Sequence, residues 1–187
     1  LPNVQVNAGS LSTTTDKYGK FKIEGLTTPT IFEFLLEGYD FGESIEVNSP
    51  TPLNISATFK ITGRVKSGTG DKEIIIANAR IETSEGEWTT SDDEGRFEIT
   101  GISQATTITI TADGYNTKSI TIEKYVPLTI VDLDYNIDLI FSGLRDNEYS
   151  DIIIKVNNST SYTCSSNAYT LKGLKGENLI SLSKTNC

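Results

Sequence analysis

The 187-residue chain has no histidine and no methionine, and only one tryptophan, two cysteines and five prolines. Histidine is the usual general base near neutral pH, so the commonest proton-transfer and nucleophile-activating arrangements are missing. Serine is plentiful, but no Gly-x-Ser-x-Gly elbow presents one. Without histidine, and with two cysteines, a zinc or copper centre lacks its ligands. No apolar run approaches the length of a membrane span. No secretory leader pattern opens the chain, which starts without Met and inside a repeat, as an excised fragment or mature form would. Positive charge is also short. Sixteen Lys and Arg against 25 Asp and Glu leave a net charge of −9. Nucleic acids and anionic membranes are bound through Lys and Arg, so neither is an expected partner. No sustained helical period occurs. These shortages together predict a chain that is not an enzyme, carries no cofactor and does not insert into a membrane.

What is abundant is threonine, serine, isoleucine and valine, and Thr and the β-branched residues favour strands. The chain is also internally repetitive. Thr14-Thr15-Asp16-Lys17-Tyr18-Gly19-Lys20-Phe21-Lys22-Ile23-Glu24-Gly25-Leu26 returns as Thr90 to Ile102. Gly19 and Gly95 are 76 apart, as are Phe21 and Phe97. Gly38-Tyr39 returns as Gly114-Tyr115, and Asn167 to Leu174 is a weaker third echo of the hairpin. A fixed period of this size marks tandem units, each with a thin core of its own. The expected divisions are 1–59, a repeat without its first strand, 60–135, a complete repeat, and 136–187, a C-terminally incomplete repeat. Phe59-Lys60-Ile61 and Tyr135-Asn136-Ile137 join the units without a Gly/Ser linker, which predicts a semi-rigid rod.

Within the repeats, alternation predicts strands over Asn3–Val6, Lys20–Leu26, Ile31–Leu36, Ser44–Val47 and Leu53–Phe59 in the first. In the second it predicts Ile61–Val65, Ile74–Ile81, the stretch after Gly95, Thr106–Ala112 and Ser119–Glu123. In the third it predicts Asp138–Phe141, Ile152–Val156, Ser161–Cys164, Ala168–Leu174 and Leu179–Leu182. The fold class is all-β: a tandem of small antiparallel sandwiches.

Ile61-Thr62-Gly63-Arg64-Val65, Ala77 to Ile81, Thr90 to Ile102 and Ala112-Asp113-Gly114-Tyr115 together resemble the carboxypeptidase regulatory-like domain. The resemblance covers nearly all of the second repeat and most of the first. It implies Ig-like or transthyretin-like β-sandwiches, arrayed in secreted and surface proteins, and a fold related to carbohydrate-binding-like modules. It does not imply peptidase activity, and fold alone does not carry function.

Several residues invite a chemical reading. Asp92, Asp93 and Glu94 crowd one turn, as calcium ligands do, although Asp before Gly is also ordinary hairpin chemistry. Trp88, between Glu87 and Thr89, is a candidate for stacking on a sugar ring, or else a packing residue. Tyr39 and Tyr115 recur at one repeat position, which suggests a structural role. Cys164 and Cys187 are either a disulfide or two separate thiols. Asn54, Asn157 and Asn158 stand in Asn-x-Ser/Thr triplets and are glycosylation candidates in a secreted protein.

These observations predict a non-catalytic structural or interaction module of an extracellular or cell-surface protein: a spacer, stalk or filament segment. Its expected partners are other protein chains or neighbouring repeats, self-association included. The missing first strand of repeat one leaves an edge open to strand addition between chains. The alternatives are a carbohydrate-binding module, with a glycan partner, and an accessory domain of a larger enzyme.

Overall fold

The structure, a computed structural model, describes residues 1–27, 29–144 and 146–184. It is all-β, with two short 3-10 turns at Gly70–Lys72 and Asp146–Asp151. By its internal packing the chain separates into two compact units. One holds Leu1–Thr62, Glu98–Thr106 and Thr121–Leu128, and the other Gly63–Phe97, Thr107–Ile120 and Thr129–Cys187.

The first repeat contributes β1 (Gln5–Ala8), β2 (Leu11–Thr14), β3 (Thr30–Leu35), β4 (Tyr39–Asp40) and β5 (Ile45–Val47). Four of these form one antiparallel sheet in the order β2-β1-β3-β5. Its core follows from strand alternation: Thr30, Phe32 and Phe34 of β3 are buried while Ile31, Glu33 and Leu35 face out. Val6 and Ala8 pair with Phe34 and Phe32 across the sheet, and Phe21, Ile23, Leu53 and Ile55 pack on that cluster from outside it.

The second repeat runs through β6 (Thr58–Ser67), β7 (Ile74–Ile75), β8 (Arg80–Thr83), β9 (Trp88–Thr90), β10 (Arg96–Ile102), β11 (Thr106–Thr111), β12 (Lys118–Ile122) and β13 (Thr129–Asp132). One sheet has the order β12-β11-β8-β9; the other is centred on β6, between β10 and β13. The ten residues of β6 alternate without a break, with Phe59, Ile61, Gly63, Val65 and Ser67 buried. β13 pairs with β6 in parallel: Thr129 stands opposite Gly63, Val131 opposite Val65 and Asp132 opposite Lys66. The first and last strands of the repeat are therefore neighbours pointing the same way.

The third repeat comprises β14 (Tyr135–Ile140), β15 (Ile152–Val156), β16 (Thr160–Thr163), β17 (Ala168–Leu174) and β18 (Ile180–Lys184). β14 pairs with β17, and β15 lies between β16 and β18. Ile152, Ile154, Val156, Cys164 and Leu171 form its buried centre. Burying an aliphatic side chain of this kind is worth about 1.5–3 kcal/mol.

Three expected strands differ. Lys20–Leu26 and Leu53–Phe59 are not strands; only Thr58 and Phe59 are, as the start of β6. In the second repeat the matching segments, β10 and β13, owe their ladders to β6, whereas among the described residues no strand lies beside 20–26 or 53–57. Alternation alone does not make a strand when no partner lies alongside. Ile74–Ile81 breaks into β7 and β8, because Asn78 takes a left-handed φ of 56°. Ser91 holds the break: its Oγ accepts from Ala79 N at 2.9 Å and donates to the Ile76 carbonyl at 2.8 Å. Asn3, with φ 60°, and Thr15 repeat the arrangement in the first repeat.

Candidate functional site

The acidic turn of the second repeat has the same hydrogen bonds as its sister 76 residues earlier. Asp92 Oδ1 accepts from Glu94 N at 3.0 Å and Arg96 N at 2.7 Å, and Gly95 N donates to Asp92 O at 2.9 Å. Asp16 Oδ1 accepts from Tyr18 N at 2.8 Å and Lys20 N at 2.9 Å, and Gly19 N donates to Asp16 O at 2.9 Å. Those Lys20 and Tyr18 amides hold the Asp16 carboxyl below its ordinary value. Gly95 and Gly19 sit at φ 75° and 77°, where a side chain is disfavoured. The first carboxylate thus closes the turn, while Asp93 and Glu94 are exposed. Among the described residues no group of three or more His, Cys, Asp or Glu side chains is placed to hold a metal ion.

Trp88 lies on the edge strand β9 and is 57% exposed. The guanidinium of Arg80 covers its ring at 4.4 Å from the centroid, a cation–π contact that occupies one face. Cys164 is buried, and burial pushes its thiol up; Cys187, the other half of the disulfide alternative, lies outside the described residues. Asn54 and Asn158 are exposed. Asn157 is tied into the β15–β16 turn: its Nδ2 donates to Asn178 Oδ1 at 2.8 Å and its Oδ1 accepts from Leu179 N at 3.0 Å.

The recurring tyrosines each pack against an aromatic ring 20 positions further along the chain. In one compact unit the Tyr39 ring packs on Phe59, with centroids 6.0 Å apart, and edge-on to Tyr125 at 6.2 Å. In the other, Tyr115 meets Tyr135 edge-on at 5.7 Å. Phe59 and Tyr135 are themselves 76 apart. Tyr135 also donates to the Gly176 carbonyl at 2.8 Å. Gly176 N donates to the buried Ser67 Oγ at 2.9 Å, and Lys175 pairs with Asp132 at 2.7 Å. The 175–177 loop of the third repeat is thereby fastened to the end of β6, with Glu177 N donating to Lys72 O at 2.9 Å.

The first repeat carries a groove of about 870 Å³. One rim is 18–26, the other 47–54, and Phe32 is on the floor. Phe21 stacks edge-on to Phe34 at 5.8 Å and tilted over Phe32 at 6.4 Å. Phe21, Ile23 and Leu53 are half-buried. Neither rim belongs to a strand along the groove, apart from Val47 at the end of β5. The alternation of Lys20–Leu26 and of Leu53–Phe59 signalled two strands. It did not signal that these two segments stay apart as the walls of an apolar channel.

No family model matches the chain, and no curated protein matches it by sequence. Among solved structures it is similar to the minor pilin GBS52 of Streptococcus agalactiae, at 14% identity and a TM-score of 0.34, over 72% of this chain and 84% of that one. It is also similar to the Bacillus anthracis TIE protein, at 13% identity and a TM-score of 0.33, over 98% of this chain and 42% of that one.

Proposed function

We propose that the chain is a non-catalytic structural and interaction module of an extracellular or cell-surface protein. It would serve as a spacer, stalk or filament segment built from the repeats 1–59, 60–135 and 136–187, with strand addition between chains as its means of assembly. The observation that carries this reading is the parallel pairing of β6 with β13. These are the entry and exit strands of the second repeat, so tension along the chain pulls them in opposite directions along their shared ladder. The four residue pairs from Thr129–Gly63 to Asp132–Lys66 are then loaded together, in shear, rather than opened one after another. Such a clamp suits a segment that holds its ends apart under load. The ring pairs Tyr39–Phe59 and Tyr115–Tyr135 support it, because each ties the strand leaving a repeat to a corner of that repeat.

Single-molecule stretching from the two termini tests the clamp. The second repeat is expected to give one abrupt high-force event. Val131→Pro, which removes a ladder donor and leaves the other β13 residues in place, is expected to lower that force more than it lowers the chemical unfolding midpoint. Unfolding of the second repeat at the lowest force of the three, unchanged by Val131→Pro, would exclude a load-bearing role.

A further inference from the structure

The β6–β13 clamp is closed off by a residue that also reaches the third repeat. Ser67 ends β6 and is fully buried. Its Oγ donates to the carbonyl of Leu133, one residue past β13, at 2.7 Å, and accepts from Gly176 N of the third repeat at 2.9 Å. Leu133 N returns a bond to the Lys66 carbonyl at 2.8 Å. The ends of both clamp strands and a loop of the third repeat thus meet at one hydroxyl. Its bonds lie away from water, where a hydrogen bond is stronger and an orphaned partner costs more. Around it, Asp132 accepts from Gly68 N at 2.9 Å and from Lys175 Nζ at 2.7 Å, and Glu177 N donates to Lys72 O at 2.9 Å. β13 cannot slide along β6 without pulling Leu133 from Ser67 and Asp132 from Gly68.

The loop is shaped for this place and held from its own side. Gly176 is buried at φ 62°, and a Cβ there would stand 2.1 Å from the Lys72 carbonyl oxygen. Gly68, at φ 81°, would put a Cβ 2.7 Å from the Gly176 Cα. Two glycines from different repeats therefore cross where neither has room for a side chain. The Gly176 carbonyl accepts from Tyr135 Oη at 2.8 Å and from Asn178 Nδ2 at 3.0 Å, and Asn178 Oδ1 accepts from Asn157 of the β15–β16 turn at 2.8 Å. A continuous series of bonds thus runs from that turn to Ser67. The matching loop of the second repeat is built differently. Three residues after Gly101 stands Gln104, where Gly176 follows Gly173, and Ser103, Gln104 and Ala105 are all exposed.

We propose that the 175–177 loop is a latch through which the third repeat regulates the β6–β13 clamp. The clamp is strong while the third repeat is folded and weakens when that repeat unfolds, because Gly176 N and Lys175 then leave it and Ser67 opens to water. This rests on the load-bearing reading given above and adds a control to it. Stability that passes between neighbouring repeats through their interface is the general behaviour of tandem arrays.

The test follows hydrogen exchange of the whole chain by mass spectrometry in two variants. Gly176→Val breaks the latch without touching the buried centre of the third repeat. Exchange at 63–67 and 129–133 is expected to quicken about tenfold or more, while 152–156 keeps its protection. Ile154→Ala acts from the far side: it leaves the loop sequence intact and removes part of a fully buried side chain. Exchange in the third repeat is expected to quicken about thirtyfold or more, and the clamp segments to follow by about tenfold or more. Clamp exchange within about twofold of the wild-type rate in either variant, with the third repeat folded or not, would overturn the proposal. Stretching the same variants from the two termini separates the latch from load bearing. A high-force event of the second repeat that neither variant lowers removes the latch and keeps the load-bearing role. Clamp segments that exchange faster in both variants, in a second repeat that yields at the lowest force of the three, keep the latch and remove the load-bearing role.

Discussion

Gly63 and Gly101 are glycines for different reasons. Gly101 has φ 79° and open space around a would-be Cβ, so its constraint is conformational. Gly63 lies inside a strand, and its constraint is the Phe97 ring and the Thr129 carbonyl. Gly63→Ala is expected to destabilise the second repeat by about 1–3 kcal/mol through overpacking, and Gly101→Ala by about 1 kcal/mol through strain. Urea unfolding in a Phe97→Ala background separates them. Shortening the ring should relieve much of the cost at Gly63 and none of that at Gly101. Equal costs in both backgrounds would count against the ring as the cause. Gly101 was legible in the sequence because it recurs as Gly25; the counterpart of Gly63 is Leu139, so the repeat gives no sign that glycine is needed, and only packing shows why. Trp88 was illegible in another way. An indole beside acidic residues fits core or surface equally well, and what decides is its place on an edge strand, over Arg80.

At the scale of elements, alternation located most strands, because a one-sided apolar pattern reports which face is covered. It failed where coverage depends on a neighbour. Lys20–Leu26 has the same pattern as β10, yet only β10 has β6 beside it. The hairpin between β15 and β16 shows the reverse, a local feature the chain spells out. Asn157 and Asn158 both take left-handed φ, 54° and 59°, as the two central residues of a type I′ turn do, and glycine is the favoured second residue there. Asn158→Gly is therefore expected to stabilise the third repeat by about 0.5–1 kcal/mol, read as a higher thermal midpoint. The same change at Asn157 is expected to destabilise, because it removes the bonds to Asn178 and Leu179. The triplets that mark both residues as glycosylation candidates carry neither piece of geometry.

At the scale of the whole molecule, the carboxyls of Asp16, Glu73 and Asp132, among the described residues, are held below their ordinary values. For Asp16 the cause is the backbone amides of Lys20 and Tyr18, and for Glu73 the hydrogen bond from Lys66. Burial pushes Asp132 up, but the Lys175 ammonium and the Gly68 amide outweigh it. A carboxyl lowered in the folded state adds stability that is complete above its unfolded value, near about pH 4. That stability is lost as pH falls through the lower, folded value. The unfolding midpoint is thus expected to stay flat from pH 7 to about 5 and to drop below about 4. Loss of the net charge of −9 eases self-repulsion over the same range and opposes the drop. The comparison with Asp132→Asn isolates the specific part: the variant should lose about 1 kcal/mol at pH 7 and show a shallower acid limb. Parallel wild-type and variant curves would show that Asp132 contributes nothing through its charge. The 76-residue period was plain in the sequence. The parallel closure of a repeat by its own first and last strands was not, because strand direction across a sheet leaves no mark on side-chain alternation.

The buried thiol of Cys164 has a use beyond packing. It is 3% exposed, and its proton is held more tightly than in water, so the nucleophilic thiolate is scarce while the third repeat stays closed. Alkylation at that sulfur accumulates only during the intervals when the repeat is open. The chain therefore carries a built-in chemical dosimeter, in which the modified fraction of Cys164 integrates the time its third repeat has spent unfolded.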